Sequence, residues 1–281
     1  MLCRGRFARP LYVVLTAALA AVALLGPAPA VRTQGGTVRM EWLGWSHFRF
    51  TSVDGKVVLI NPFIQGNPDA AVSLDDITRA DLVLPADGHG DEQGSTVEIA
   101  KRTGARVLAQ GELAGWMIEQ GVPAAQFPRR FSSPGTFYKL DGITVRVVNS
   151  VHGSSVPQPT TANPYGGPAN GFVVTFENGW TVYFTGSTAA TADMALWASM
   201  YKPDAMIFHM AGDHEPLDIA MSVKLMTTDN PNLVTLMPHH HRVSPPPGAT
   251  TVADVRAALD SMGIHLPILN QERSLVYEFT K

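Results

Sequence analysis

The feature that most limits what this chain can fold into is a succession of short apolar runs separated by turn residues, with no internal repeat among them. They fall at 38–43, 48–51, 56–60, 81–85, 106–109, 143–149, 172–177, 180–185, 205–210, 233–237 and 275–280. Each is short for a helix, and most are rich in Val, Ile, Phe and Tyr, so they read as strands. Asn178-Gly179 between two of them is a hairpin signal, because a two-residue turn needs φ > 0 at both positions. Helices are interleaved. Ser95-Thr96-Val97-Glu98 has the spacing of a capping box, with Gly104 where a helix would stop. Pro216 is placed to open a helix through about Thr227, and Thr251 to Asp254 forms a weaker box before the apolar face of Val252, Val255, Leu259 and Met262. Met221, Leu225 and Met226 read as core. Hairpins first, then strands alternating with helices, predict a layered α/β sandwich. No charge block or long linker divides it, so residues 31–281 read as one domain.

Residues 1–30 read differently. Arg4, Arg6 and Arg9 precede the unbroken apolar run Leu11 to Leu25, and Ala28-x-Ala30 supplies small residues at the spacing a signal peptidase reads. The run is shorter than the ~20 residues that span a bilayer. The expectation is an exported protein, periplasmic or secreted, without a membrane anchor after cleavage near Val31. Losing the three arginines takes the formal charge from −3 to −6, which argues against a nucleic-acid partner; a small-molecule substrate is the expectation. The mature chain also loses its one cysteine, Cys3. That excludes disulfides, a thiol nucleophile and thiolate metal ligands, so stability rests on the core of about 250 residues and any metal on nitrogen and oxygen.

The chemistry concentrates after the apolar run at 81–85, in Asp87-Gly88-His89-Gly90-Asp91-Glu92. Side chains two apart on extended backbone point the same way, so Asp87, His89 and Asp91 can converge while Glu92 faces elsewhere and could serve a second ion. Gly88 and Gly90 free the backbone to wrap around metals, and a helix from Ser95 would bring its positive end close. His152 follows the run at 143–149, and His239-His240-His241 follow the run at 233–237, at strand ends where α/β sheets place ligands. The long irregular segment Asn163 to Asn170, with Pro157 and Pro159 before it, reads as a loop covering the site.

These residues carry a resemblance. Trp42-Leu43-Gly44-Trp45-Ser46, Leu59-Ile60-Asn61-Pro62-Phe63, Asp87 to Glu92, Val151-His152-Gly153-Ser154, Thr185-Gly186-Ser187-Thr188 and Pro238-His239-His240-His241 with Pro245 resemble, in order, the motifs of the metallo-β-lactamase superfamily. The likeness is greatest to its branch of small hydrolases similar to ascorbate-phosphate lactonase. It implies an α/β fold, the four-layer αβ/βα sandwich of that superfamily, and alignment on Pro238 and Pro245 selects His240 from its triplet. His89, Asp91, His152 and His240 keep the family's residues. Asp87 and Glu92 stand where it has histidines, Ser187 where an aspartate bridges two metals, Trp45 for a histidine and Asn61 for an aspartate.

By the family's arrangement, Asp87, His89 and His152 would hold one divalent ion, and Asp91, Glu92 and His240 a second, weaker or absent without a bridge at Ser187. Carboxylate in place of imidazole shifts preference from zinc toward manganese or magnesium, with ferrous iron between. The resemblance implies metal-dependent hydrolysis of an ester, lactone or phosphoester, with Asp91 orienting or deprotonating the attacking water and His240 steadying negative charge. Two alternatives belong to other classes: a degenerate, non-catalytic binding domain of the same fold, and an iron oxidoreductase.

Overall fold

The computed structural model describes residues 35–127, 132–157, 164–269 and 272–281. The expected signal peptide and, before and at the start of the long irregular segment, Pro159 and Asn163 lie outside them. The strands are β1 (Thr37–Trp42), β2 (Phe48–Thr51), β3 (Val57–Ile60), β4 (Leu82–Leu84), β5 (Arg106–Val107), β6 (Phe137–Leu140), β7 (Ile143–Asn149), β8 (Asn170–Thr175), β9 (Thr181–Phe184), β10 (Ala205–His209), β11 (Thr235–His239) and β12 (Val276–Thr280). They form two six-stranded mixed sheets, ordered β12-β1-β2-β3-β4-β5 and β11-β10-β9-β8-β7-β6. The helices are α1 (Gly90–Gln93), α2 (Thr96–Thr103), α3 (Gly111–Glu119), α4 (Asp193–Tyr201), α5 (Pro216–Met226) and α6 (Val252–Ser261). Among them none is long and apolar enough to cross a membrane.

The period-two alternation of strands sorts their side chains into layers. Val58 and Ile60 of β3 join Trp42, Phe48 and Phe50 on the inner face, where they meet Val145, Phe172, Val182 and Phe184 of the other sheet. Leu59, between them, points outward with Val83 and Val107 against Ile99, Ala100, Leu113 and Met117 of α2 and α3. On the far side Val173, Tyr183, Met206 and Phe208 pack under Met194, Trp197, Ile219, Val223, Val255 and Leu259 of α4, α5 and α6. Three apolar interfaces make four layers, the sandwich expected from the sequence.

The parallel strands matter most for function. β3, β4 and β5 run in parallel, as do β9, β10 and β11. β7 shares the direction of β9, because both are antiparallel to β8. The carboxyl ends of β3 and β4 in one sheet and of β7, β9, β10 and β11 in the other therefore emerge along one edge. The expected hairpin joins β8 to β9 at Asn178-Gly179, with left-handed backbone at Gly179 and not at Asn178, Pro216 opens α5, and Thr251 caps α6 through a complete box with Asp254. The box at Ser95 does not form. The Ser95 hydroxyl makes no cap bond and accepts from the Gln65 amide at 3.3 Å, so α2 begins without it. Met221, read as core, is 37% exposed, whereas Met226 is buried.

Candidate metal centre

Beyond Leu84 the chain leaves β4 tied to both sheets. The Ala86 amide donates to Asn61 Oδ1 (2.7 Å) and the Ala86 carbonyl accepts from the Asn170 amide (2.8 Å). Asp87 and His89 keep the spacing of extended backbone. The His89 amide donates to Asp87 Oδ1 at 2.8 Å, and His89 Nδ1 lies 3.5 Å from the same oxygen. The expectation that Asp91 continues this track is corrected, because α1 starts at Gly90 and puts Asp91 and Glu92 on a helical turn with different neighbours. The glycines also act differently from each other. A Cβ on Gly88 would lie 3.1–3.2 Å from Val156 and Ser155, so Gly88 permits close approach of the loop carrying His152. Gly90 has room for one.

That approach assembles the first group. Asp87, His89 and His152 each offer one ligand atom, all within 4.8 Å of one another. The two imidazoles stand 5.1 Å apart and nearly perpendicular, at 87°. Asp87 is fully buried, and its Oδ2 has no hydrogen-bond partner. A buried carboxylate oxygen left unpaired is costly unless positive charge meets it. A divalent ion between that oxygen and two ring nitrogens supplies the charge, so these residues fit one. Burial pushes the Asp87 carboxyl up to about 6, against the opposing pull of the His89 amide and ring. Burial, then the neighbouring His89, lowers His152, favouring the neutral imidazole that binds metals.

Asp91, Glu92 and His240 form a second group that is already bonded internally. Asp91 Oδ2 accepts from Trp45 Nε1 (3.2 Å) and lies 3.2 Å from His240 Nε2, which is 3.6 Å from Glu92 Oε1. Glu92 is fully buried and accepts from Ser187 Oγ (2.5 Å) and from Asn61 Nδ2. Burial works to raise Asp91, but the His240 hydrogen bond and charge outweigh it and hold the carboxyl below its usual range. Burial and then the Asp87 charge push Glu92 well above that range. Trp45, Asn61 and His240 all have left-handed backbone, with φ of 58°, 46° and 66°. Such strain in residues with a Cβ persists only where surroundings over-determine it. Here the Trp45 carbonyl accepts from both the His240 amide (3.0 Å) and Trp42 Nε1 (2.8 Å).

The histidine triplet separates cleanly. His239 turns inward against Phe184 and Thr185, and His241 stacks on Trp42 with centroids 4.6 Å apart, so His240 alone reaches the carboxylates. Sequence reasoning missed His209 and His214. His209, the last residue of β10, is buried with its ring 5.0 Å from His240, 6.1 Å from His152 and 4.3 Å from His214. The rule that selected His152 and His240, a histidine at a strand's carboxyl end, also selects His209.

No family model matches the chain. Individual relatives do. A UPF0173 metal-dependent hydrolase of Rubrobacter xylanophilus is 33% identical over 195 residues, 68% of this chain and 78% of that one. Another, from Methanopyrus kandleri, is 34% identical over 211 residues, 74% of this chain and 86% of that one. The chain belongs to the UPF0173 metal-dependent hydrolases. The fold agrees: a metallo hydrolase from the archaeon Ignicoccus hospitalis superposes with a TM-score of 0.70 at 23% identity, over 86% of this chain and 98% of that one. Membership in UPF0173 places the chain among the small metal-dependent hydrolases, the branch expected from the sequence.

Proposed function

We propose that the chain is an exported hydrolase working with one divalent ion, held by Asp87, His89 and His152. The observation that carries this reading is the orphaned Asp87 Oδ2, buried beside two imidazoles whose ligand atoms lie within 4.8 Å. Two imidazoles and one carboxylate suit catalytic zinc with an open position, and equally ferrous iron or manganese. A bound ion supplies Lewis acidity, polarising the oxygen of the bond under attack and acidifying water. Asp91, kept ionised by Trp45 and His240, accepts the proton of the attacking water. His240, beside Asp91 at 3.2 Å, would add to the field that steadies the negative charge developing on the substrate.

The altered residues support a single ion. Trp45, Asn61, Glu92 and Ser187, the positions that differ from the wider superfamily's motifs along with Asp87, are joined by hydrogen bonds around the second group. Neutral donors there occupy both oxygens of Glu92 and Oδ2 of Asp91, oxygens that a second ion would draw on. The test is metal content and esterase activity of wild type and His89→Ala after equal exposure to manganese, ferrous iron and zinc. Near one equivalent in the wild type, with metal and activity lost together in the variant, is expected. Wild-type metal no higher than the variant's would sink the assignment. Export rests on Arg4, Arg6, Arg9, the run Leu11 to Leu25 and Ala28-x-Ala30. N-terminal sequencing of secreted or periplasmic protein should start within a few residues of Val31, and a chain retaining Leu11 would overturn it.

A further inference from the structure

A cavity of about 480 Å³ opens beside the site and shares Trp45 and His240 with it. Its remaining walls are the segment after β10 and the segment leading into α6. The walls are laced together: the Thr250 amide donates to the Gly212 carbonyl (2.8 Å) and Thr250 Oγ1 to the His214 carbonyl (2.5 Å). The cavity is therefore preformed. Met210, Val243, Pro245, Ala249 and Val252 make much of its surface apolar.

The groups of this cavity that could attract an anion are paired within the chain, beginning with His240, whose Nε2 lies 3.2 Å from Asp91 Oδ2. Arg242 is its cation, and Arg242 Nε is paired at 2.8 Å with Asp69 Oδ2, a carboxylate in a residue only 8% exposed. The guanidinium also lies over the Trp45 ring, 5.9 Å from its centroid. The amino end of α6 faces the cavity through Thr251, Val252 and Ala253. Its first turn is closed by Asp254, which accepts from the Thr251 amide (2.8 Å) and hydroxyl (2.6 Å) and brings a carboxylate to the positive helix end. Asp213, exposed on the wall, adds another negative charge. An apolar, preformed cavity with its cation and helix end neutralised disfavours a phosphate and favours hydrocarbon.

We infer that this cavity seats an uncharged, apolar substituent of the substrate, which makes the substrates neutral carboxylic esters or lactones rather than phosphoesters. The inference rests on the hydrolase reading above and specifies its substrate class. In the reaction the oxygen of water bonds to the acyl carbon and the acyl carbon–oxygen bond breaks. The leaving oxygen takes one proton, and the acid carries the other.

The experiment compares 4-nitrophenyl acetate, 4-nitrophenyl hexanoate and 4-nitrophenyl phosphate on the full chain loaded with metal, in wild type and Ala249→Trp. Burial of the longer chain should raise kcat/KM for hexanoate about tenfold or more over acetate. Phosphate hydrolysis should stay at the His89→Ala background. Ala249→Trp, which fills the cavity, should bring the hexanoate-to-acetate ratio near one. A wild-type ratio near one, or phosphate hydrolysed as well as hexanoate, would overturn the inference. A second readout needs no catalysis: the Trp45 indole N–H resonance, assigned with Trp45→Phe, should shift with 1-hexanol and not with inorganic phosphate, in wild type and His89→Ala alike. The reverse pattern overturns the proposal. Hexanol binding without hydrolysis of any ester would instead sink the hydrolase reading and leave the cavity's ligand class standing.

Discussion

At the scale of single residues, the site is governed by which buried carboxylate oxygens find a partner inside the chain. Asp87 Oδ2 finds none, whereas both oxygens of Glu92 do, from Ser187 and Asn61. Ser187 is therefore the residue on which the number of ions turns. Replacing it by aspartate puts a second carboxylate within about the 2.5 Å that now separates Ser187 Oγ from Glu92 Oε1. Glu92 already holds its proton more tightly than an ordinary carboxyl, so without a counter-ion the two groups would share one proton, and the buried charge that remains should lower the stability of the metal-free Ser187→Asp variant by about 3 kcal/mol. Adding manganese or zinc should restore much of that loss and raise bound metal from about one toward two ions per chain. Calorimetry and elemental analysis on the same samples check both halves. A variant as stable as wild type without metal, or one that still binds a single ion, would show that Ser187 does not set the stoichiometry.

At the scale of elements, what was legible in the sequence depended on whether one face of a segment was clearly apolar. The strands that line the inter-sheet core were readable because both pattern and turns agreed. The edge strand β6 was not, since Phe137 is half exposed and Lys139 breaks the run. α4 was hidden because Leu196 and Met200 are exposed while Met194, Trp197 and Ala198 are buried, leaving no polar face to reveal a period. α3 carries Gly111 and Gly115, which disguise a helix. α1 was missed because four residues are too few for any periodicity, and that omission misdirected the geometry of Asp91 and Glu92. The strand-end rule placed His152 and His240 correctly on the edge, while the hydrogen bonds from Trp45, Asn61 and Ser187 depend on tertiary approach that no local pattern encodes. The readable cap at α6 makes a test. Thr251 Oγ1 accepts from the Asp254 amide at 3.3 Å, and α6 holds Val255 and Leu259 in the outer core. Thr251→Ala should cost about 1 kcal/mol, a drop of roughly 2–4 °C in Tm for a chain of this size, with metal content unchanged. A loss of metal along with the cap would mean that α6 supports the centre more directly than its packing indicates.

At the scale of the whole molecule, stability rests on a cysteine-free core, since Cys3 is the one cysteine and precedes the expected cleavage point. Export would expose that core to the acidity of the surroundings, and one buried group makes it sensitive to acid. His47 is fully buried, and neither ring nitrogen has a hydrogen-bond partner. Burial, then the charge of Arg49, lowers its pKa from 6.5 to about 3. Between those values the unfolded chain binds a proton at this residue and the folded chain does not, so stability rises with pH across that window. The contribution is complete above about pH 6.5 and is lost as pH falls toward 3. Near the middle of the window the slope from this one group is about 1.4 kcal/mol per pH unit. His209 and His239 are also held neutral by burial and act in the same direction, so the signal of His47 has to be taken as a difference. Urea unfolding of wild type and His47→Leu at pH 7 and pH 5 isolates it, because the other groups titrate alike in both chains. The wild type should lose about 2 kcal/mol more than the variant over that interval. Equal losses would mean that His47 gains a proton or a partner in the folded chain, and that acid sensitivity arises from the histidines around the metal centre instead.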